Sequence, residues 1–549
     1  MGGGRIRQGK FFGDFALAEG SLWLSAMSGG AAGGVLQACL DHGIREFVVC
    51  GGARNAPLVC GLLRNGEVVV WRHFEERGAG FFALGRVMAE GRPVAVVTTS
   101  GTAAAELLPA VIEAHYQGRP LVLLTADRPK RFRGRGAPQA IEQADLFGGY
   151  VEGRDDVEQD AGELLAGWSG ARPWHLNVCQ EEDEGIPAVT MPTEDWLPPQ
   201  IERPGVAELV EFLGEDRLRG LVVMLGGLDP EEREETRRVL AGLGAPVVAD
   251  AASGLREALG KLVMVGGDEL LRRAPPGRIL RLGDVPVGRF WRDLEELPEV
   301  AVLSVTRTGF SGLARDSGVI RGRVDHALHG MGEVAPVGDV VDLLPRAAKQ
   351  RGRLDELLER HPDSEPAMVR LLSTYATTGR SVYLGNSLPV REWNLAAQTS
   401  VPVTAVRANR GANGIDGQVS TWLGATATEE GAWGVFGDLT ALCDLAAPAW
   451  LTQVECRGRV LAVINNGGGR IFERLPRFRG MDRHERAVIS NAHELGFGPL
   501  AAMWEMEYVR VEGRDEFDLP ASGEPMLLEI CPDPGQTADF WAAWEGGRR

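Results

Sequence analysis

Over the first 130 residues, short uninterrupted apolar runs alternate with longer stretches whose apolar residues recur every third or fourth position. The runs at 46–50, 67–71, 93–98 and 121–125 predict strands buried on both faces. Between them, Phe81, Phe82, Leu84, Val87 and Met88 predict a helix over 76–89, and a second helix is expected over 102–116. The alternation returns twice. Runs at 221–224, 246–249, 278–281 and 300–304, with a charged helix over 231–244, make a second block. Runs at 381–384, 433–436, 460–464 and 526–530 make a third. Apolar strands between amphipathic helices imply parallel sheets covered on both faces. The expected fold class is therefore α/β, with three successive doubly wound parallel-sheet domains. A Pro-rich acidic stretch at 181–204 and a polar segment at 348–366 separate the blocks, placing the domains at 1–195, 196–362 and 363–549. Ligands in such folds bind beyond the carboxyl ends of the strands, so the polar residues that follow each run are the candidates for function.

Charge narrows the options. The chain has 549 residues, with 58 basic against 76 acidic and a net charge of −18. That balance argues against a protein that coats nucleic acid, but not against a small anion held in a locally positive pocket. The seven cysteines are odd in number and contain no C-x-x-C pair, which argues against a disulfide framework and a structural zinc. No apolar run approaches the ~18 residues of a membrane span, and residues 1–20 lack an apolar signal core. A cytoplasmic protein is expected. Arg281 and Arg307, in the middle block, read as surface charges, with an effector site as the alternative.

The strongest local signal lies in the third block. One strand ends at Phe436 and is followed by Gly437-Asp438-Leu439-Thr440, at a helix start. Twenty-eight residues after Asp438, Asn466 stands in Asn465-Asn466-Gly467-Gly468-Gly469, directly after another strand. A carboxylate and a carboxamide at neighbouring strand ends can share one Mg²⁺, an ion that favours hard oxygen ligands and keeps positions for phosphate. Free N–H groups at the helix opening favour a diphosphate. Each segment alone also reads as a helix cap or a turn.

This pairing resembles the signature of thiamine-diphosphate-dependent enzymes, with Leu439 in place of the commoner glycine. The resemblance implies a glutamate after a first-domain strand, bonded to the aminopyrimidine of the cofactor. His73-Phe74-Glu75-Glu76 supplies it, and Glu76 is the expected catalytic residue. Further matches run in order along the chain: Cys50-Gly-Gly-Ala-Arg-Asn-Ala-Pro-Leu58, Thr98-Thr-Ser-Gly-Thr102, Leu124-Thr-Ala-Asp-Arg-Pro129, Gly385-Asn-Ser-Leu-Pro-Val-Arg391, Asn409-Arg-Gly-Ala-Asn-Gly-Ile-Asp-Gly417 and Arg470-Ile-Phe-Glu-Arg-Leu-Pro476. Together they resemble the 2-succinyl-5-enolpyruvyl-6-hydroxy-3-cyclohexene-1-carboxylate synthase family of menaquinone biosynthesis.

That resemblance implies a pyrimidine-binding first domain, a central domain and a diphosphate-binding third domain. It also implies thiamine diphosphate and Mg²⁺ as cofactors, and 2-oxoglutarate and isochorismate as substrates. Glu76, Ile415, Asp438, Leu439, Thr440, Asn466, Ile471 and Phe472 would hold the cofactor, Ile415 by propping it into a bent shape. Asp438, Asn466 and the Gly468 carbonyl would hold the metal. Ser387, Arg391 and Arg410 would meet the carboxylates of the 2-oxoglutarate part, Arg54, Arg128 and Gln139 would hold isochorismate, and Leu475 would complete an apolar wall. Arginine suits both dicarboxylates through its bidentate fork. Arg289 is a weaker candidate. The family's sites form between subunits, so a homodimer or homotetramer is expected.

The sequence departs from the family pattern mainly at the acceptor end. Ala53 replaces a serine, Pro138 an asparagine, Glu75 an aspartate, and Glu106 stands where an amide is common. Two alternatives therefore stand beside the synthase: another thiamine-diphosphate decarboxylase or carboligase with a different acceptor, and a catalytically silent paralogue.

Overall fold

The computed structural model describes residues 30–159, 162–182, 184–193, 205–214, 219–332, 335–376, 380–401, 403, 405–475, 478 and 480–546. Residues 1–20, the boundary at 195/196 and Pro476 lie outside the described residues.

Three sheets form, and every strand pair within them is parallel. The first holds β1 (Glu46–Cys50), β2 (Val69–His73), β3 (Val94–Thr98), β4 (Leu121–Asp127), β5 (Gly153–Val157) and β6 (Trp174–Cys179), in the order β2-β1-β3-β4-β6-β5. The second holds β7 (Leu221–Leu225), β8 (Val247–Ala249), β9 (Arg278–Leu282), β10 (Ala301–Thr306) and β11 (Gly318–Arg321), in the order β11-β10-β9-β7-β8. The third holds β12 (Ser381–Leu384), β13 (Ala405–Arg407), β14 (Trp433–Gly437), β15 (Val460–Ile464), β16 (Glu507–Val511) and β17 (Met526–Ile530), in the order β13-β12-β14-β15-β17-β16. Apolar side chains of the central strands are buried in separate cores. Helices flank the sheets, as the α/β pattern requires.

The chain separates into two compact units. One contains the first sheet together with 411–429 and 443–455; the other contains the second and third sheets. In the first unit the Glu76–Glu90 helix crosses the Gln418–Ala425 helix at two glycines. A Cβ on Gly85 would lie 2.2 Å from the Thr421 carbonyl oxygen, and one on Gly424 would lie 2.1 Å from that of Phe82. Backbone touches backbone here, which only glycine permits.

Several expectations need correction. The helix expected over 102–116 is broken into Thr102–Ala105 and Leu108–Gln117, because Pro109 lacks an N–H and suits only a first helical turn. The polar segment at 348–366 is largely helical and partly buried: most of it belongs to the helices Leu343–Arg360 and Glu365–Ala376, with Leu354, Leu357 and Leu358 in the interior. Arg281 and Arg307 are not surface charges. Arg281 is buried on β9, donates to the Phe310 carbonyl at 2.6 Å and lies 5.3 Å from the Trp291 ring. Arg307 pairs with Asp229. Cys39, Cys50, Cys60, Cys179, Cys443 and Cys531 form no disulfide. Among the described residues no helix is long and apolar enough to cross a membrane.

Candidate active site

In the first unit the candidates cluster at the carboxyl edge of the sheet, around the point where strand order reverses between β1 and β3. β2 extends to His73, so Glu76 opens the following helix after only two intervening residues. Glu75 caps that helix, accepting the Gly78 N–H at 2.7 Å. His73 anchors the turn from the other side. Its Nδ1 lies 3.1 Å from the Glu75 nitrogen and 3.0 Å from the Glu75 carbonyl oxygen, and its Nε2 lies 3.3 Å from the Ala446 carbonyl oxygen. Burial lowers the His73 pKa, favouring the neutral ring. Its ring stacks on Trp450 at 4.4 Å, and Trp450 on Phe82 at 3.8 Å. The half-buried Glu76 is held above the usual carboxylate range by burial, with Glu75 and Glu106 adding to the effect. A raised carboxyl pKa suits a group that must take up and release a proton.

The loop after β1 is closed by Asn55, which accepts the Gly52 N–H and donates to the Cys50 carbonyl, both at 2.8 Å. Gly52 packs on Thr99, in the loop after β3: a Cβ there would stand 2.7 Å from Thr99 Cβ. Arg54 donates to the Gln180 carbonyl at 2.9 Å and lies 3.4 Å from Glu182. Arg128, after β4, donates from Nε to the Pro138 carbonyl at 2.8 Å. Gln139 follows with φ +57° and packs against Gly101. Pro138 therefore keeps a use at this position, since its carbonyl holds Arg128 beside Gln139. Arg54 turns to a different partner set. Ile415 is half-buried in the loop that leads into the Gln418–Ala425 helix.

The second unit carries the other candidates. Asp438 opens a short helix directly after β14 and is 2% exposed. Its Oδ1 accepts the Leu439 N–H at 2.6 Å and its Oδ2 the Gly468 N–H at 2.8 Å. His493 Nε2 lies 3.3 Å from Oδ2. Burial raises the Asp438 pKa, and the N–H groups work against that rise. Thr440 is buried two residues on. After β15, Asn465 and Asn466 divide the work. Asn465 Nδ2 donates to Glu529 at 2.6 Å and to the Leu495 carbonyl at 2.8 Å. Asn466 Nδ2 donates to Glu365, while its buried Oδ1 has no hydrogen-bond partner. Gly468 adopts φ +128°, where a Cβ would stand 2.6 Å from the Ser490 carbonyl oxygen.

A buried carboxylate beside an amide oxygen with no partner suits a hard cation. Mg²⁺ fits this donor set: Asp438, Asn466 Oδ1 and the Gly468 carbonyl are the residues that would hold it. Among the described residues no group of three His, Cys, Asp or Glu side chains is placed to bind a metal, so softer multi-histidine or thiolate sites have no counterpart there. Ile471 and Phe472 lie in the turn Arg470–Arg474 that follows, and Leu475 comes next. Phe472 packs on Gly469 and lies 5.9 Å from the Phe478 ring.

After β12, Ser387 adopts φ +73° and starts the Leu388–Ala396 helix. Arg391, one turn along, donates to the Ser387 carbonyl at 2.5 Å. Arg410 donates to Asn386 at 2.8 Å. Burial, and then the neighbouring Arg410 charge, lower the Arg391 pKa to about 10. Asp250 is the buried counter-ion, its own pKa pushed up to about 6 by burial and opposed by Arg410. Ser387, Arg391 and Arg410 are thus brought together. Arg289, more than half exposed, lies 3.6 Å from Asp293 on its own helix.

Sequence reasoning missed Glu365, Glu392, Asn386 and His493. Asn386 lies inside a quoted motif; the others carry no local signal. Glu392 sits beside Glu365, and burial pushes its carboxyl well above the carboxylate range, whereas that of Glu365 rises to about 7.

Residues 31–146 match the family model for the thiamine pyrophosphate enzyme N-terminal TPP binding domain. Over 513 residues the chain is 50% identical to a 2-succinyl-5-enolpyruvyl-6-hydroxy-3-cyclohexene-1-carboxylate synthase of Akkermansia muciniphila, covering 92% of this chain and 96% of the relative. A synthase of the same name from Bdellovibrio bacteriovorus is 37% identical over 93% and 97% of the two chains. The chain belongs to this synthase family. It is a thiamine-diphosphate-dependent enzyme.

Proposed function

We propose that this synthase decarboxylates 2-oxoglutarate and joins the resulting succinyl unit to isochorismate by 1,4-addition. The product is 2-succinyl-5-enolpyruvyl-6-hydroxy-3-cyclohexene-1-carboxylate, for menaquinone biosynthesis in the cytoplasm. The reading rests on membership of the family, and the observation that carries the donor assignment is the Arg391–Arg410 pair. Two close guanidinium groups in a strongly acidic chain suit a dicarboxylate better than a monocarboxylate.

Thiamine diphosphate, when bound, supplies a nucleophilic carbon and stores the electrons released as CO₂ leaves. The chain's own residues do the rest. Glu76 holds and moves the proton of the aminopyrimidine. Asp438, Asn466 and Gly468 hold Mg²⁺, and Leu439 and Thr440 lie where the diphosphate would run. Ile415 props the cofactor. Ser387, Arg391 and Arg410 orient the donor carboxylates. Ile471, Phe472 and Leu475 keep water from the reacting carbons. Arg54, Arg128 and Gln139 hold the acceptor. We further propose domains at 1–195, 196–362 and 363–549, and a homodimer or homotetramer.

A second reading keeps the donor chemistry and changes the acceptor, and Ala53, in the loop of Arg54, is the residue that favours it. One assay separates the two. The protein with thiamine diphosphate and Mg²⁺ is given 2-oxoglutarate, with and without isochorismate, and the products are identified by mass spectrometry. The succinylated cyclohexene supports the first reading. Loss of 2-oxoglutarate without that adduct supports the second.

A further inference from the structure

Asn466 presents an amide whose two ends are treated differently. Its Nδ2 lies 3.1 and 3.0 Å from the two carboxyl oxygens of Glu365, which together accept from the amide nitrogen. Its Oδ1 is buried without a partner. Rotating the amide by 180° would take Nδ2 away from the Glu365 acceptors, which is unfavourable for a buried donor. Glu365 is itself 2% exposed at the start of the Glu365–Ala376 helix, where packing fixes its position. The adjacent Asn465 is tied through its Nδ2 to Glu529 and Leu495 instead.

We propose that Glu365 is a positioning residue for the metal: it fixes the Asn466 amide so that Oδ1, rather than Nδ2, faces the cation. This rests on the assignment of Asn466 as a metal ligand and extends it by one shell. Outer partners of this kind orient ligands, and their loss typically weakens metal binding about 10–100-fold.

Mn²⁺ serves as the probe, with free ion counted by electron paramagnetic resonance in the presence of saturating thiamine diphosphate. Glu365→Leu should raise the half-saturating Mn²⁺ concentration about 10–100-fold, and Glu365→Gln, which keeps a carbonyl acceptor, by less than about fivefold. Wild-type Mn²⁺ affinity in Glu365→Leu overturns the proposal. Should that variant fail to fold, a second pair decides. Asn466→Asp alone sets two carboxyls against each other and should bind Mn²⁺ weakly. Adding Glu365→Gln supplies an amide donor and should restore binding at least about tenfold; no restoration overturns the proposal. Asn466→Ala separates this from the parent assignment: if it binds Mn²⁺ as the wild type does, the ligand role itself fails.

Discussion

Glu113 holds Gly411 by its backbone: the carboxylate Oε1 accepts the Gly411 N–H at 2.7 Å. Its Oε2 takes the next two, from Ala412 at 2.8 Å and Asn413 at 3.2 Å. The side chain is 3% exposed and also receives Gln117 Nε2 at 2.7 Å. One carboxylate thus organises the turn that leads to Ile415. Removing it leaves three N–H groups without their acceptor. Glu113→Ala should cost about 3 kcal/mol or more, and Glu113→Gln less, since it keeps one acceptor oxygen. Urea unfolding midpoints test this; an unchanged midpoint in the alanine variant would mean that water replaces the carboxylate without cost.

The glycine crossing makes a steric prediction. An alanine at Gly85 puts its methyl group 2.2 Å from one backbone oxygen and 2.6 Å from the Ala425 nitrogen. The helices must part, at about 2–3 kcal/mol or more. Gly149→Ala, whose methyl meets open space, is the control. Equal thermal midpoints for the two variants would show that the crossing tolerates separation.

His175 should make stability pH-dependent. It is buried on β6, where Nε2 lies 2.7 Å from Thr125 Oγ1, and burial lowers its pKa to about 3 from 6.5. The unfolded chain therefore binds this proton below pH 6.5 while the folded chain stays neutral. The stabilisation is intact above pH 6.5 and is lost as pH falls towards 3. Between pH 7 and pH 5 the loss is about 2 kcal/mol. His175→Gln removes the titration but keeps a donor, so its unfolding midpoint should fall less over that interval. Parallel pH dependences in the two proteins would rule the histidine out as the source.

Glu76→Gln tests the proposed proton carrier. The amide preserves size but cannot exchange a proton. Thiamine diphosphate affinity, measured by calorimetry, should change less than about threefold, while turnover should fall about 100-fold or more. Unchanged turnover would remove Glu76 from the mechanism.

The twelve strands expected from apolar runs all form, within two residues at each end. Their signal survives because they are buried on both faces and carry little else. β6 escaped because His175 and Asn177 interrupt its apolar pattern yet are buried. Asn177 is satisfied by Asp127, Asp156 and Gln143, partners that no local window contains. β5 and β16 escaped because these edge strands carry charged residues, Arg154, Asp155 and Asp156 in one and Glu507 and Arg510 in the other, and so form no apolar run. At the candidate site, motif residues directly after strands were legible. Glu365 was not: it lies 101 residues from the amide it touches and opens a helix in a stretch that reads as polar.

The make-up of the first unit bears on how the protein is built. Its sheet ends at Cys179, yet it also contains 411–429 and 443–455. A ribosome adding about 5–20 residues per second needs more than ~10 s to travel from the end of the sheet to residue 455. During that interval the Gly85 face of the Glu76–Glu90 helix has no covering helix, and the Glu113 carboxylate lacks the N–H groups it will hold. The nascent first sheet is therefore the part of this chain most exposed to aggregation, and its final closure is a long-range step that slows folding.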